Sequence, residues 1–263
     1  MDNTYWQQQN SQQPLFSNVL WSRPEQRSLA GKLSIIGGNA HGFSAVSEAF
    51  GSANQAGIGS VRLVLPASLE KTVGHILPES EFAPDNKGGG FAIKALDLWL
   101  AIANWGDATI LAGDLGKSSE TEILLERFFA NNSVPLTLVG DSIDLALISP
   151  LQLVEYKQLI VAPSFSQLQH LLTAIRYPSA LTSTITLYQL VDLLHSLTQN
   201  YSFAVAYCHD DQTLIAYQGK VSTTQTTTSN LLKSAVYATV WRLQQPSKAF
   251  EAMTSGIYAS LSN

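Results

Sequence analysis

Cysteine is almost missing from this chain. Cys208 stands alone in 263 residues. A single thiol excludes an intramolecular disulfide framework and a Cys-rich zinc site, and it fits a reducing, cytoplasmic setting. Charge is scarce too. Asp, Glu, Lys and Arg make up 13% of the residues, the formal net charge is −5, and no dense basic cluster occurs. Nucleic acid is therefore a poor partner. No apolar run reaches the roughly 18 residues of a membrane span, which argues against a membrane protein. The opening residues, MDNTYWQQQNSQQP, lack the charged and apolar regions of a signal peptide. His41, His75, His170, His195 and His209 have no metal-ligand spacing with one another or with the cysteine, so no metal site is expected. No G-x-S-x-G elbow supports a Ser–His–Asp hydrolase.

What the chain does have is a 45% hydrophobic content, ample for a sizeable core. Residues 1–17 are Gln/Asn-rich without an apolar period. They read as a flexible tail, with an arm onto a neighbouring subunit, anchored by Tyr5 and Trp6, as the other reading. Residues 18–263 read as one domain. Its clearest unit runs from Lys32 to Pro66: an apolar run Leu33–Ile36, the pair Gly37-Gly38, a helix-length stretch 43–56, and a second apolar run Val61–Leu65. That is a parallel βαβ crossover. Further strands are expected at 108–112, 135–139 and 159–162, and helices at 92–105, after Ser118, at 166–175 and at 187–198. A hairpin around His209-Asp210-Asp211-Gln212 and two closing helices, 231–243 and 247–261, complete the pattern. Residues 67–90 read as an irregular excursion, and the Thr-rich stretch 221–230 as a bridge. Alternating strands and helices imply an α/β fold, a three-layer α/β/α sandwich with a mostly parallel central sheet. Ligands in such folds sit at the carboxyl ends of the strands. The glycine turns at 37–38, 88–90 and 113–116 are candidates for that rim.

Local chemistry limits several other candidates. The 209–212 segment has the composition of a turn rather than of a cation site. Asp141 and Asp144 read as capping or turn residues past a strand end. Cys208 reads as a small buried residue, and Trp99, Trp105 and Trp241 as helix residues facing the core. His41, beside Asn39 in the first glycine turn, is a candidate ligand contact. Asp114 is the one acidic residue inside the 112–118 turn, where it would repel a phosphate.

The order of these segments resembles the ribokinase-like superfamily, and within it the ADP/ATP-dependent NAD(P)H-hydrate dehydratases, a carbohydrate kinase-like branch. The resemblance covers about residues 24–260. The family's strand ending in GGS, its GA pair, its helix closing in AGAG and its strand ending in Pro are matched by Ile36-Gly37-Gly38-Asn39, Ser44-Ala45, Ala56-Gly57-Ile58-Gly59 and Leu65-Pro66. Its PE dipeptide is Pro78-Glu79. Its aDa…iGPGLG segment is matched by Gly106-Asp107-Ala108 and Ala112-Gly113-Asp114-Leu115-Gly116-Lys117-Ser118. The resemblance implies a substrate side formed by Gly38, Asn39, His41 and Ala45. It places a nucleotide side, for ATP or ADP, at Gly113, Gly116, Lys117, Thr227, Thr228 and Ser229. It also implies a homo-oligomer and a nucleotide or NAD(P)H-related ligand.

The chemical motifs depart from the family. Its DADAL segment falls on Val139-Gly140-Asp141-Ser142-Ile143, where only the second Asp survives. Its TPHxGE falls on Ala162-Pro163-Ser164-Phe165-Ser166-Gln167, without the His or the Glu. Its LKG falls near Ala206-Tyr207-Cys208, without the Lys. Its GGTGD falls on Thr226-Thr227-Thr228-Ser229-Asn230, so Asn230 stands where the family has its catalytic Asp. An amide cannot accept a proton at neutral pH, and base loss costs about 10²–10⁴-fold in rate. Side chains at 226–229 replace the glycines that expose backbone N–H groups to the transferring phosphate. The expectation is a pseudoenzyme, a degenerate dehydratase homologue that binds a ligand or partner without the family reaction. The alternatives are an active dehydratase lyase or small-molecule kinase with a phosphate loop remodelled from Thr and Ser hydroxyls and Lys117, and a structural subunit of an oligomer.

Overall fold

The computed structural model describes residues 4–226 and 229–262. Ten strands form one sheet: β1 Trp6–Gln9, β2 Lys32–Ile36, β3 Ser60–Pro66, β4 Ser80–Ala83, β5 Ala108–Leu111, β6 Leu136–Val139, β7 Leu159–Ala162, β8 Ala204–His209, β9 Gln212–Tyr217 and β10 Lys220–Gln225. Their spatial order is β1-β10-β9-β8-β7-β6-β5-β2-β3-β4. Among the described residues only the β8–β9 and β9–β10 pairings are antiparallel. The sheet is therefore mostly parallel, as the alternating strand–helix pattern predicts.

The helices are α1 Ser17–Trp21, α2 Ser44–Gln55, α3 Glu70–Val73, α4 Leu96–Trp105, α5 Ser119–Asn131, α6 Asp141–Ala146, α7 Pro150–Glu155, α8 Phe165–Ala174, α9 Leu187–Asn200, α10 Leu231–Gln244 and α11 Ala249–Ser260. Two cores, one on each face of the sheet, hold them there. Successive strand residues point to opposite faces. Leu159 and Val161 of β7 join α4, α5, α8 and α9 on one side, while Ile160 and Ala162 join α2, α10 and α11 on the other. That is the three-layer sandwich. Helix α10 is buried from Ser234 to Arg242, because it lies between the sheet and the α2 and α11 helices. A helix enclosed this way needs no polar face.

The N-terminal segment departs from the flexible tail expected for residues 1–17. Trp6–Gln9 pairs in parallel with β10 and forms the edge of the sheet. Gln9 is buried, and its Nε2 donates to Thr224 Oγ1 at 2.7 Å and to the Thr254 carbonyl at 2.9 Å. Trp6 Nε1 donates to Thr223 Oγ1 at 3.1 Å, and the Tyr5 ring stacks on His195 at 3.8 Å. Polar partners from β10 and α11 thus replace the apolar period on which a sequence-based strand assignment depends. The partner strand is itself the Thr-rich stretch read as a bridge; its Val221, Ser222, Thr223 and Thr224 are buried. The excursion after β3 contains α3 and the short strand β4.

Candidate functional site

The parallel strands end on one rim. Gly37 follows β2, Ala112 follows β5, Gly140 follows β6 and Pro163 follows β7. The first glycine turn, 37–42, is tied down along its whole length. Gly37 N–H donates to the Val64 carbonyl, Gly38 to Gly113, Asn39 to Gly42, Ala40 to Gly89 and Gly42 to Asn39, while His41 N–H donates to Asn39 Oδ1 at 2.8 Å. Gly37 is obligatory: a Cβ there would lie 2.8 Å from the Gly113 carbonyl oxygen and 2.9 Å from Val46 Cγ2. Gly38 carries a φ of +82°, the left-handed region that favours glycine. With its amides engaged internally, this turn is architecture and not an anion cradle.

The second turn, 113–117, is joined to the first. Asn39 Nδ2 donates to the Asp114 carbonyl at 2.9 Å. Gly113 is buried, Asp114 adopts a φ of +57°, and Lys117 is exposed. The turn's amides meet a carboxylate from the chain itself. Leu115 N–H donates to Asp141 Oδ1 at 3.2 Å, and the Gly116 amide acts on the same carboxyl. Burial pushes the Asp141 carboxyl above its ordinary value; the two amides oppose that shift, and the neighbouring carboxylates of Asp114 and Asp144 add to it. A nucleotide phosphate fits this turn poorly, because Asp141 takes the donors and Asp114 adds repulsion.

Asn230 sits at the head of α10. Its Oδ1 accepts Lys233 N–H at 2.9 Å, an N-cap, and its Nδ2 donates to Glu48 Oε1 at 2.5 Å. Glu48 lies three residues beyond Ala45 on α2, so the two share a helix face. Ser229 Oγ donates to the Asp210 carbonyl at 2.8 Å, tying this stretch to the β8–β9 turn. Thr227 and Thr228 lie outside the described residues. The fold thus joins Gly38, Asn39 and His41 to the Gly113–Lys117 turn, and joins Asn230 to the Ala45 face of α2. Among the described residues no hydrogen bond links the 113–117 turn to Ser229 or Asn230.

Glu48 and Asn86 escape sequence reasoning, and so do the contacts, though not the positions, of Asp141 and Gln167. Glu48 has no motif; its spacing from Ala45 is the available signal. Asp141 is legible as the surviving Asp of its segment, but not as an occupant of the neighbouring turn. Asn86 ties the 88–90 glycines down: its Oδ1 accepts Gly88 N–H at 2.9 Å, and its Nδ2 donates to the Phe91 carbonyl and to Ser118 Oγ, each at 2.9 Å. Gln167, 8% exposed, donates from Nε2 to the Gly140 carbonyl at 2.7 Å and to Asp144 Oδ2 at 2.9 Å. His209 ends β8, and Asp210 and Asp211 form the turn before β9. Among the described residues no group of three His, Cys, Asp or Glu side chains is placed to hold a metal ion. Nor is any described helix long and apolar enough to cross a membrane.

No protein-family model and no curated protein matches the sequence. Solved structures do. A ribokinase-like superfamily protein of Enterococcus faecalis V583 superimposes with a TM-score of 0.71 at 14% identity, covering 98% of this chain and 88% of that one. The fold is ribokinase-like. A hypothetical protein of Streptococcus mutans shares this fold with a TM-score of 0.70 at 15% identity, over 94% of this chain and 87% of that one. So does the ADP/ATP-dependent NAD(P)H-hydrate dehydratase of Bacillus subtilis, co-crystallised with ATP and Mg²⁺. Its TM-score is 0.64 at 12% identity, covering 95% and 87%. The ribokinase-like fold and the likeness to the dehydratase therefore stand on structure, while identities this low carry no residue's role across.

Proposed function

We propose that this ribokinase-like protein binds a small nucleotide- or NAD(P)H-related ligand at the strand-end rim, with no phosphate held by the 37–42 or 113–117 amides, and does not perform phosphate-linked dehydration. The observation that carries this reading is the state of Asn230. One end of its amide caps α10 and the other holds Glu48, so no basic atom stands at position 230. The internal use of the 113–117 amides by Asp141 supports the same reading. The substrate half keeps a defined shape through Gly38, Asn39 and Gly113.

The test combines binding with turnover. A thermal-shift series with millimolar ATP, ADP and NADPH is expected to show stabilisation by at least one of them. Hydrated NADPH with ATP or ADP, followed at the reduced-nicotinamide absorbance band, is expected to show no dehydration above the enzyme-free rate. Absence of any shift removes the binding reading for these ligands, and turnover removes the degeneracy reading.

A second reading is favoured by Glu48. Its carboxylate lies 2.5 Å from the Asn230 amide, so a base is present beside the position where Asn230 lacks one. An active enzyme would use Glu48 to take the proton from a substrate hydroxyl. Turnover abolished by Glu48→Gln, with folding retained, would establish that reading over the first.

A further inference from the structure

One sizeable cavity lies away from the strand-end rim. With a volume of about 560 Å³, it opens at the opposite end of the sheet, where β5, β6 and β7 begin. Its mouth carries the exposed Leu29, Asp107, Gln158 and Pro246, and its floor the buried Ala108, Ile160 and Arg242. Tyr217, at the end of antiparallel β9, forms one wall. Helix α10 reaches both ends of the molecule. Asn230 heads it at the rim, and its last turn carries Arg242 at the cavity, about 20 Å away at 1.5 Å per residue.

Arg242 is 7% exposed. Among the described residues no carboxylate lies within ion-pair distance of it. Its side chain's one hydrogen bond among the described residues runs from Nη1 to the Leu159 carbonyl at 3.5 Å, the limit of such a bond, and its guanidinium carbon lies 5.4 Å from the centre of the Tyr217 ring. A guanidinium has five N–H donors. A buried charge without a partner is strongly unfavourable. The carboxyl end of α10 and the Tyr217 ring offset part of that cost. Burial lowers the guanidinium pKa, as expected for a cation that lacks a counter-charge. Asp107, the acidic residue on the cavity wall, is exposed at the mouth and accepts Lys32 N–H at 2.9 Å.

We propose that this cavity is a second binding site, for a small organic anion whose carboxylate or phosphate pairs with Arg242 and whose flat apolar body lies between Tyr217, Ala108 and Ile160. The planar donor fork suits both head groups. The volume falls in the range of small-molecule sites, and the lining mixes apolar side chains with polar ones, Thr137, Gln158 and Thr239 besides Arg242.

The experiment uses the full chain. Benzoate and phenyl phosphate at millimolar concentration are the two anionic probes, benzyl alcohol is the neutral one, and sodium chloride matches the ionic strength. At ten times its dissociation constant, the preferred anion is expected to raise Tm by roughly 3–5 °C, and benzyl alcohol and salt are not. Whichever anion gives the larger shift identifies the head group as carboxylate or phosphate. Arg242→Met is expected to abolish the anion shift while leaving the free protein at least as stable, because an uncompensated buried charge has gone; a purely structural arginine would instead lower Tm. Crystals of the unaltered protein soaked in an iodobenzoate are expected to show iodine in this cavity, which decides the question even if Arg242→Met does not fold. No shift with either anion, an equal shift with benzyl alcohol, an undiminished shift in Arg242→Met, or iodine found only elsewhere would overturn the proposal.

Discussion

At the residue scale, several described positions that depart from the pattern of the resembled family have structural partners. Gln167 is the clearest. The family resemblance would place a Glu at this position; here the Gln167 amide donates to both the Gly140 carbonyl and the Asp144 carboxylate. A carboxylate there could donate to neither. Gln167→Glu is therefore expected to destabilise the protein by about 1–3 kcal/mol, measured as a fall in the urea midpoint at unchanged slope. Asp141 adds a pH signature. Its folded-state pKa lies above the ordinary 3.8, chiefly through burial, so the folded protein holds the proton longer than the unfolded chain. The stability this contributes is complete below about pH 3.8 and disappears as pH rises through the raised value. Asp141→Asn removes the titration and keeps an acceptor for Leu115. Its Tm advantage over the unaltered protein is expected to grow with pH across the acidic range and to level off above it. A difference independent of pH would refute this account.

At the element scale, the edge strand carries the main lesson. β1 covers β10, a strand rich in Thr whose backbone would otherwise face water as an open edge. Removing residues 1–9 exposes that edge and deletes the buried Gln9 and the Tyr5–His195 stack. The truncated protein is expected to melt lower, by roughly 2–4 °C for each kcal/mol lost, and to scatter light on concentration. An unchanged Tm would show that β1 contributes nothing. The hydrophobic strands β2, β3, β5, β6 and β7 are legible from sequence because each is a short apolar run between helices. The β1 and β10 strands are not, since Gln and Thr side chains satisfied by one another give no apolar period. Helix α6 is hidden for a related reason: Asp141 and Asp144 fall in its first turn, where acidic residues complement the helix dipole but read equally well as a turn.

At the scale of the whole molecule, the ribokinase-like sandwich puts two features at opposite ends of α10. Size-exclusion chromatography with light scattering tests the homo-oligomer that the family resemblance implies; a mass of one chain at micromolar concentration would exclude it. The strand–glycine–helix–strand unit from Lys32 to Pro66, the mostly parallel sheet and the order of the glycine turns are specified locally, because spacing and backbone freedom act between near neighbours. The same is true of Asn230 as a position without a base. Other properties arise only from segments far apart in the chain. Glu48 meets Asn230, Asp141 enters the 113–117 turn, and Tyr217 meets Arg242 across the cavity. These pairings depend on strand order, and strand order is settled by burying both faces of the sheet at once, which no local stretch of residues encodes.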